Sequence, residues 1–260
     1  MMRRIKDFRA TFENKREIAS NVFLIEFFLP DFDGSAEPGQ FMMLKASSVY
    51  DPFLRRPYSI FDCEKERIKV LLKVIGPASS IIAEKQENEK IDILGPLGNG
   101  FPILSNKHSV LVAGGIGVAP LWFLAKKLKA ENQTFSIIYG EKTATDMSFE
   151  IKETFADFSH IVTEDGSKGD KATAPGILPS FFDKLGEKQY VLYVCGPKAM
   201  LKETISFGRK RNIPVYVSLE QRMACGTGIC FGCSVKTARK PGYLTICKDG
   251  PVFSAEDVEI

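Results

Sequence analysis

Histidine is scarce in this chain of 260 residues: His108 and His160 are the only two, which excludes a centre built from several imidazoles. Long apolar runs are also missing. The longest, Val110–Ala125, is interrupted by three glycines and a proline, and falls short of the roughly 18 residues that a membrane span requires. The first twenty residues are too polar for the apolar core of an export signal. No membrane association is expected, and a cytoplasmic location is. Nor is one sign of charge in excess. Thirty-five Lys and Arg against 32 Asp and Glu leave +3, which argues against nucleic-acid binding, since that depends on clustered basic charge. With 44% hydrophobic and 26% charged residues the chain has the composition of an ordinary globular protein.

What is present changes in texture along the chain. Over 1–104, short β-type runs (Val22–Leu29, Gln40–Lys45, Tyr58–Phe61, Ile68–Ile75, Ile91–Leu94) alternate with turn signals such as Asp33-Gly34, Pro38-Gly39 and Gly95-Pro96. This pattern predicts an antiparallel β-barrel or sandwich with one helical insertion, Ser79–Gln86, capped by Ser79 or Ser80. Over 105–217, strand-like runs (Val110–Ala113, Thr134–Tyr139, His160–Thr163, Tyr190–Cys195, Val215–Val217) alternate with the helical candidates Pro120–Ala130 and Pro197–Arg211. That alternation predicts a Rossmann-like parallel α/β domain. Ligands bind such sheets beyond the carboxyl ends of the strands. The last stretch, 218–260, is too short for a good core of its own, yet it holds four of the six cysteines.

These four, Cys225, Cys230, Cys233 and Cys247, are spaced C-x4-C-x2-C-x13-C. The spacing follows the plant-type ligand pattern of a 2Fe–2S cluster. Gly226, Gly228 and Gly232 suit it, because backbone N–H groups can turn toward the sulfurs where no Cβ intervenes. Structural zinc is the alternative, but it usually takes two C-x2-C pairs, and only Cys230/Cys233 form one. Disulfides are the other, against the reducing environment of a cytoplasmic chain.

Val110–Ala113 runs into Gly114-Gly115-Ile116-Gly117-Val118-Ala119-Pro120 and then a helical pattern. Gly115 and Gly117 supply the G-x-G of a dinucleotide loop, and Pro120 replaces the third glycine. A helix start here offers N–H donors to a pyrophosphate; a plain strand-to-helix turn is the other reading. Cys195, before Gly196-Pro197, is either an inert buried thiol or a sulfur set against a nicotinamide ring. Asp165-Gly166-Ser167 is a turn that can also touch a ribose. Glu141 after the second strand favours a free ribose 2′-hydroxyl, and Lys142 tolerates a phosphate there. In Asp51–Ile60, Arg56 can meet a phosphate, Tyr58 offers a flat face, and Ser59 can bond the edge of an aromatic ring. Strand alternation puts Arg56 and Tyr58 on one side and Ser59 on the other, with Pro57 as an irregularity. An edge strand with two solvated arginines is the competing reading.

In this order the segments resemble the ferredoxin–NADP reductase superfamily. Its R-x-Y-S flavin strand is matched by Arg56, Pro57, Tyr58 and Ser59, its G-G-x-G-x-x-P loop by Gly114–Pro120, and its C-G-P turn by Cys195–Pro197. Within it, the chain is most similar to the electron-transfer subunits of B-type dihydroorotate dehydrogenases. Leu54–Ile60 matches their L-R-R-P-x-S-I strand, and Ser218–Cys233 their S-L-E-x-R-M-x-C-G-x-G-x-C-x-G-C segment. The resemblance implies FAD, NAD and a 2Fe–2S cluster in three domains, 1–104, 105–217 and 218–260. FAD would be held by Arg56–Ser59, by Lys73, Val74 and Ile75, and by Ala78 and Ser79. NAD would lie against Gly114, Gly115, Gly117, Asp165 and Cys195, the last in the catalytic position. The implied partner is a catalytic subunit carrying FMN, two of each subunit in a heterotetramer, with pyrimidine biosynthesis as the setting. Dihydroorotate would be oxidised on that subunit, and electrons would pass through the cluster and FAD to NAD⁺. Flavin subunits of bifurcating transhydrogenases, hydrogenases, sulfide dehydrogenases and sulfite reductases share these cofactors and differ in partner, and a non-enzymatic, zinc-stabilised interaction module that has lost its flavin is a second class. One departure stands out. The family commonly has G-x-G-T at the pyrophosphate turn, where this chain has Gly76-Pro77-Ala78-Ser79, and alanine adopts positive φ less cheaply than glycine.

Overall fold

The computed structural model describes residues 5–47, 51–147, 159–186, 188–239 and 241–260. Six strands come first: β1 (Lys6–Ala19), β2 (Val22–Phe28), β3 (Phe41–Leu44), β4 (Arg56–Glu64), β5 (Arg67–Lys73) and β6 (Lys90–Leu97). They pair antiparallel and close into a barrel in the order β1-β2-β5-β4-β3-β6. β1 lies in the polar opening segment, outside the runs expected to be strands. Alternation makes it one: Phe8, Ala10 and Phe12 are buried in the barrel, while Asp7 and Arg9 are exposed, and Arg9 reaches Asp92 on β6 at 2.6 Å.

Helix α1 (Pro77–Glu84) follows β5 and starts two residues before the expected Ser79. Gly76 is its N-cap and Pro77 its first residue, where the missing N–H costs nothing. Ser79 therefore does not cap the helix from outside. Its hydroxyl accepts the N–H groups of Ile75 (2.9 Å) and Gly76 (3.1 Å) and donates to the Gly76 carbonyl (2.8 Å). Ala78 sits inside the first helical turn, and positive φ is not needed there. The departure from G-x-G-T is thus accommodated by an earlier helix start.

A seven-stranded sheet follows: β7 (His108–Gly114), β8 (Phe135–Glu141), β9 (Ser159–Thr163), β10 (Asp170–Lys171), β11 (Tyr190–Cys195), β12 (Val215–Ser218) and β15 (Val252–Ser254). Its order is β10-β9-β8-β7-β11-β12-β15. All neighbours are parallel except β15, which returns antiparallel along β12. The order changes direction between β7 and β11, the place where such sheets open a ligand crevice. Helix α2 (Val118–Ala130) packs on the barrel side, and α3 (Leu178–Leu185) and α4 (Lys198–Lys210) on the other face. Between β12 and β15 the tail forms a small antiparallel pair, β13 (Ser234–Lys236) and β14 (Tyr243–Thr245). Through β15 the tail is stitched into the parallel sheet. Among the described residues no helix is long and apolar enough to cross a membrane.

Three buried clusters hold these parts together. One fills the barrel around Phe12, Ile25, Phe27 and Ile60. A second joins α2 to the barrel wall, with Phe61 and Leu71 packed near Trp122. The third combines Phe41, Met43 and Leu97 of the barrel with the sheet, α4 and the tail residues Cys233, Ile246 and Cys247.

Candidate functional site

β4 carries the R-P-Y-S sequence and pairs with β3 in the register Arg56↔Leu44, Pro57↔Met43, Tyr58↔Met42 and Ser59↔Phe41. Directly opposed residues of an antiparallel pair share a face. Arg56 and Tyr58 therefore lie with Leu44 and Met42, and Pro57 and Ser59 with Met43 and Phe41, the two-sided arrangement expected. The arginines differ. Arg55 is neutralised by Asp7 at 2.7 Å, whereas the Arg56 guanidinium bonds the carbonyl oxygens of Leu54 (2.7 Å) and Arg55 (3.4 Å), which leave its charge in place. Burial pushes the Tyr58 hydroxyl up to about 12, with Arg56 acting the other way. Beyond β5, Val74 is tied back to Asn21 by its N–H, Ile75 is 85% exposed, and Ala78 and Ser79 are buried in the first turn of α1.

A cleft of about 550 Å³ opens beyond the carboxyl ends of β7, β8 and β11. Gly114, Gly115 and Gly117 line it, and so does Lys73 from the end of β5, so a residue expected on the flavin side faces the nicotinamide-side loop. Gly117 is fixed by close approach: a Cβ there would strike the Cys195 carbonyl. The loop from Gly115 to Gly117 makes one 3-10 turn and runs into α2. Pro120 thus falls inside the helix's first turn, where proline is tolerated.

Two expected residues stand apart from the cleft wall. The Cys195 side chain is buried behind it, its thiol pushed up by burial and by the charge of Glu220, with Ser218 as a hydrogen-bond partner. Asp165 is exposed at the end of β9. Its carboxylate accepts the Ser167 hydroxyl (2.6 Å) and N–H (2.9 Å), which hold its pKa below the usual range. The Ser167 hydroxyl also takes the Ala144 N–H at 2.8 Å, so this turn pins the loops after β8 and β9 together.

Other cleft residues were not anticipated. Glu203 and Met200 come from α4, and Glu220, its carboxyl raised by burial, from the segment after β12. The signal for Glu220 was the S-L-E at the head of the cysteine-rich motif. Glu141 does line the cleft. Burial pushes its carboxyl up to about 6, although the Tyr139 hydroxyl donates to it at 2.9 Å and Lys73 also favours its charge. Five carboxylates (Glu141, Asp146, Glu164, Glu203, Glu220) face two lysines (Lys73, Lys142) across the described lining.

The four tail cysteines stand two and two. The Cys225 sulfur takes hydrogen bonds from Cys230, backbone and thiol, and from the Thr227 N–H at 3.4 Å. Burial acts to raise it, but these donors prevail and bring it down to about 6. Cys247 lies against Cys233 and accepts the Gly228 N–H at 3.1 Å, while its own N–H points to the Cys233 sulfur at 3.4 Å. Burial and the neighbouring Cys233 push its thiol up to about 12. Gly232 donates to Cys230 at 3.5 Å. Among the described residues, no three His, Cys, Asp or Glu side chains are grouped to hold a single metal ion. Two sulfur pairs with N–H donors aimed at them fit a cluster with two thiolates on each of two irons. Gly226 has a different place, with a φ of +72° and the barrel wall directly behind it.

A closed antiparallel barrel joined to a parallel sheet with a glycine cleft defines the class of ferredoxin–NADP reductase-like folds. One solved structure, of an NADH-dependent reduced ferredoxin-NADP oxidoreductase studied for flavin-based electron bifurcation, aligns with a TM-score of 0.83 and 29% identity over 96% of this chain and 90% of its own. A ferredoxin NADP⁺ reductase from Neisseria gonorrhoeae, solved with bound FAD and NADP, shares the fold at a TM-score of 0.66 and 17% identity, over 85% of this chain and 96% of its own. Residues 220–259 match the family described as the iron-sulfur cluster binding domain of dihydroorotate dehydrogenase B. The dihydroorotate dehydrogenase B (NAD(+)) electron transfer subunit of Caldanaerobacter subterraneus subsp. tengcongensis is 37% identical over 94% of this chain and 95% of its own. That of Geobacillus kaustophilus is 36% identical over 96% and 97%. The chain belongs to the family of dihydroorotate dehydrogenase B electron transfer subunits.

Proposed function

We propose that this chain is an NAD-linked oxidoreductase subunit that carries FAD and a 2Fe–2S cluster and relays electrons from dihydroorotate oxidised on an FMN-containing partner, with two copies of each subunit. The observation that carries the reading is the pairing of the four tail thiols, in a chain similar over almost its whole length to electron transfer subunits. The parts would be a flavin barrel over 1–104, a nicotinamide domain over 105–217 and a cluster domain over 218–260, the last fastened to the second by β15.

Bound flavin supplies the conversion between two-electron hydride exchange and one-electron exchange with iron. The chain's residues bind and orient. Arg56, which pairs with no carboxylate among the described residues, offers its charge to the pyrophosphate, and Ser59 offers its hydroxyl to the ring edge from the face shared with Met43. Tyr58 stays a neutral phenol at any physiological pH and presents a flat face. Ala78 and Ser79 keep α1 starting early, so that its first N–H groups face a phosphate. Lys73 reaches into the cleft between the flavin turn and the glycine loop. Gly114, Gly115 and Gly117 bring bare backbone to the dinucleotide, while Cys195 supports it from behind and Asp165 meets the ribose from the cleft edge. The excess of carboxylates disfavours an extra 2′-phosphate and supports NAD over NADP. Cys225, Cys230, Cys233 and Cys247 hold the cluster. Exposed Ile229 (80%) and Phe231 (64%) beside them give a partner subunit an apolar landing point.

The test is anaerobic purification with the neighbouring subunits intact. Flavin, iron and acid-labile sulfide in the chain, NADH–dye reductase activity without dihydroorotate oxidation, and co-purification with an FMN protein are expected. Dihydroorotate turnover by this chain alone overturns the assignment. Co-purification with a bifurcating transhydrogenase partner instead would favour the class of the 29%-identical structure.

A further inference from the structure

The cluster loop and the flavin strand meet on a single side chain. Met43 lies on β3, fully buried, directly opposite Pro57 of the R-P-Y-S sequence. From the other side the loop comes down on it. A Cβ built on Gly226 would lie 3.0 Å from Met43 Cγ, 3.5 Å from its sulfur and 3.2 Å from Leu97 Cδ1. Gly226 adjoins the cluster ligand Cys225, and its φ of +72° is one that side-chain-bearing residues rarely adopt. Both its conformation and its lack of a Cβ therefore let the loop settle against the barrel. The face involved carries Pro57 and Ser59, and Ser59 is the group that meets the flavin ring edge. Phe41 and Leu97 complete the same wall, in the buried cluster that also contains Cys233 and Cys247.

The geometry points to Met43 as a positioning residue that fills the gap between the cluster and the flavin, with Gly226 setting how closely the cluster is seated. The inference rests on the cofactor assignment above and adds to it the contact through which the two centres are coupled. With both groups bound, NADH would supply two electrons to the flavin as a hydride. One would reduce a ferric iron to ferrous, the second would follow once the first had moved on to the partner's flavin, and the proton would be released to solvent. Met43, packed between the Cys225–Gly226 loop and the strand pair that carries Pro57, would then lie beside both crossings in either direction. A polarisable thioether suits such a packed gap, since methionine fills irregular space closely.

The experiment uses the full chain with flavin and cluster loaded, and compares wild type with Gly226→Ala, Met43→Ala and the volume-conserving Met43→Leu. Anaerobic mixing with NADH reads flavin bleaching and cluster bleaching separately. In Gly226→Ala and Met43→Ala, reduction of the flavin keeps its wild-type rate and reduction of the cluster slows severalfold. Met43→Leu, tolerated in most cores, stays near wild type and guards against loss of fold in Met43→Ala. A second readout is magnetic: the one-electron flavin signal saturates at lower microwave power in the two slowed variants, because the iron relaxes it less. Unchanged cluster reduction and unchanged saturation in loaded Gly226→Ala or Met43→Ala overturn the inference. Preparations that hold no flavin or no iron in wild type overturn the cofactor assignment instead.

Discussion

Lys126 on α2 reaches Asp62 on β4, placing its Nζ 2.8 and 2.7 Å from the two carboxylate oxygens. Beside the pair, the rings of Phe61 and Trp122 stack 5.5 Å apart at 9°. β4 begins with the flavin-strand sequence, and α2 begins at the glycine loop. The pair thus ties the strand proposed to hold the flavin to the helix that follows the glycine loop. Asp62 is mostly buried and Lys126 about one-third exposed, so loss of either charge leaves the other poorly solvated. Asp62→Asn is expected to cost about 1–2 kcal/mol in denaturant unfolding and to slow flavin reduction by NADH. Lys126→Met added to it is expected to cost less than the sum of the two single changes. Strict additivity would show that the two side chains do not act together.

Glu141 gives the cleft a pH signature. Its carboxyl is pushed from 4.5 to about 6, chiefly by burial. The native state therefore holds more proton than the unfolded chain between about 4.5 and 6, and stability falls as pH rises through that window and stays lower above it. After discounting for partial exposure the effect is about 1 kcal/mol. Glu141→Gln, which still accepts from Tyr139, is expected to raise the urea midpoint at pH 8 and leave it unchanged at pH 4. An equal gain at both pH values would locate the effect in packing rather than charge.

What the sequence revealed and concealed divides along physical lines. The cysteine spacing, the alternation of strands and helices, and the R-P-Y-S sequence are local patterns, and they led to a barrel, a parallel sheet and a thiol cluster. β1 was hidden because its buried residues, Phe8, Ala10 and Phe12, alternate with charges and form no apolar run. β15 was hidden because three residues, Val252–Ser254, become a strand only by pairing with β12 far back in the chain. Glu203 and Glu220 look like surface charges until the crossover from β11 to β12 brings them to one cleft. The contact of Gly226 with Met43 spans the chain from barrel to tail, and no local pattern records it.

The helix start at α1 shows why alanine is tolerated at position 78. Ala78 sits at a helical position, so glycine offers it no conformational advantage. Ala78→Gly, which restores the commoner turn, is expected to lower stability by about 0.5–1 kcal/mol. Flavin affinity, read by fluorescence titration, is expected to stay the same. Tighter flavin binding by the glycine variant would mean that the turn reshapes around the cofactor.

The four cysteines proposed as cluster ligands differ in what else depends on them. Cys230 is exposed, whereas Cys247 is 2% exposed and packed in the core shared by tail and sheet. Replacement of either by serine removes a sulfur from its pair, and iron and labile sulfide are expected to be lost in both variants. Only Cys247→Ser puts a hydroxyl into an apolar interior, at a further cost of about 1–3 kcal/mol. Cys230→Ser should therefore keep its thermal midpoint close to that of the iron-depleted wild type, retain flavin, and reduce dyes with NADH, while electron passage to the partner subunit stops. Full iron content in Cys230→Ser would remove that residue from the ligand set and leave its pairing with Cys225 without a purpose.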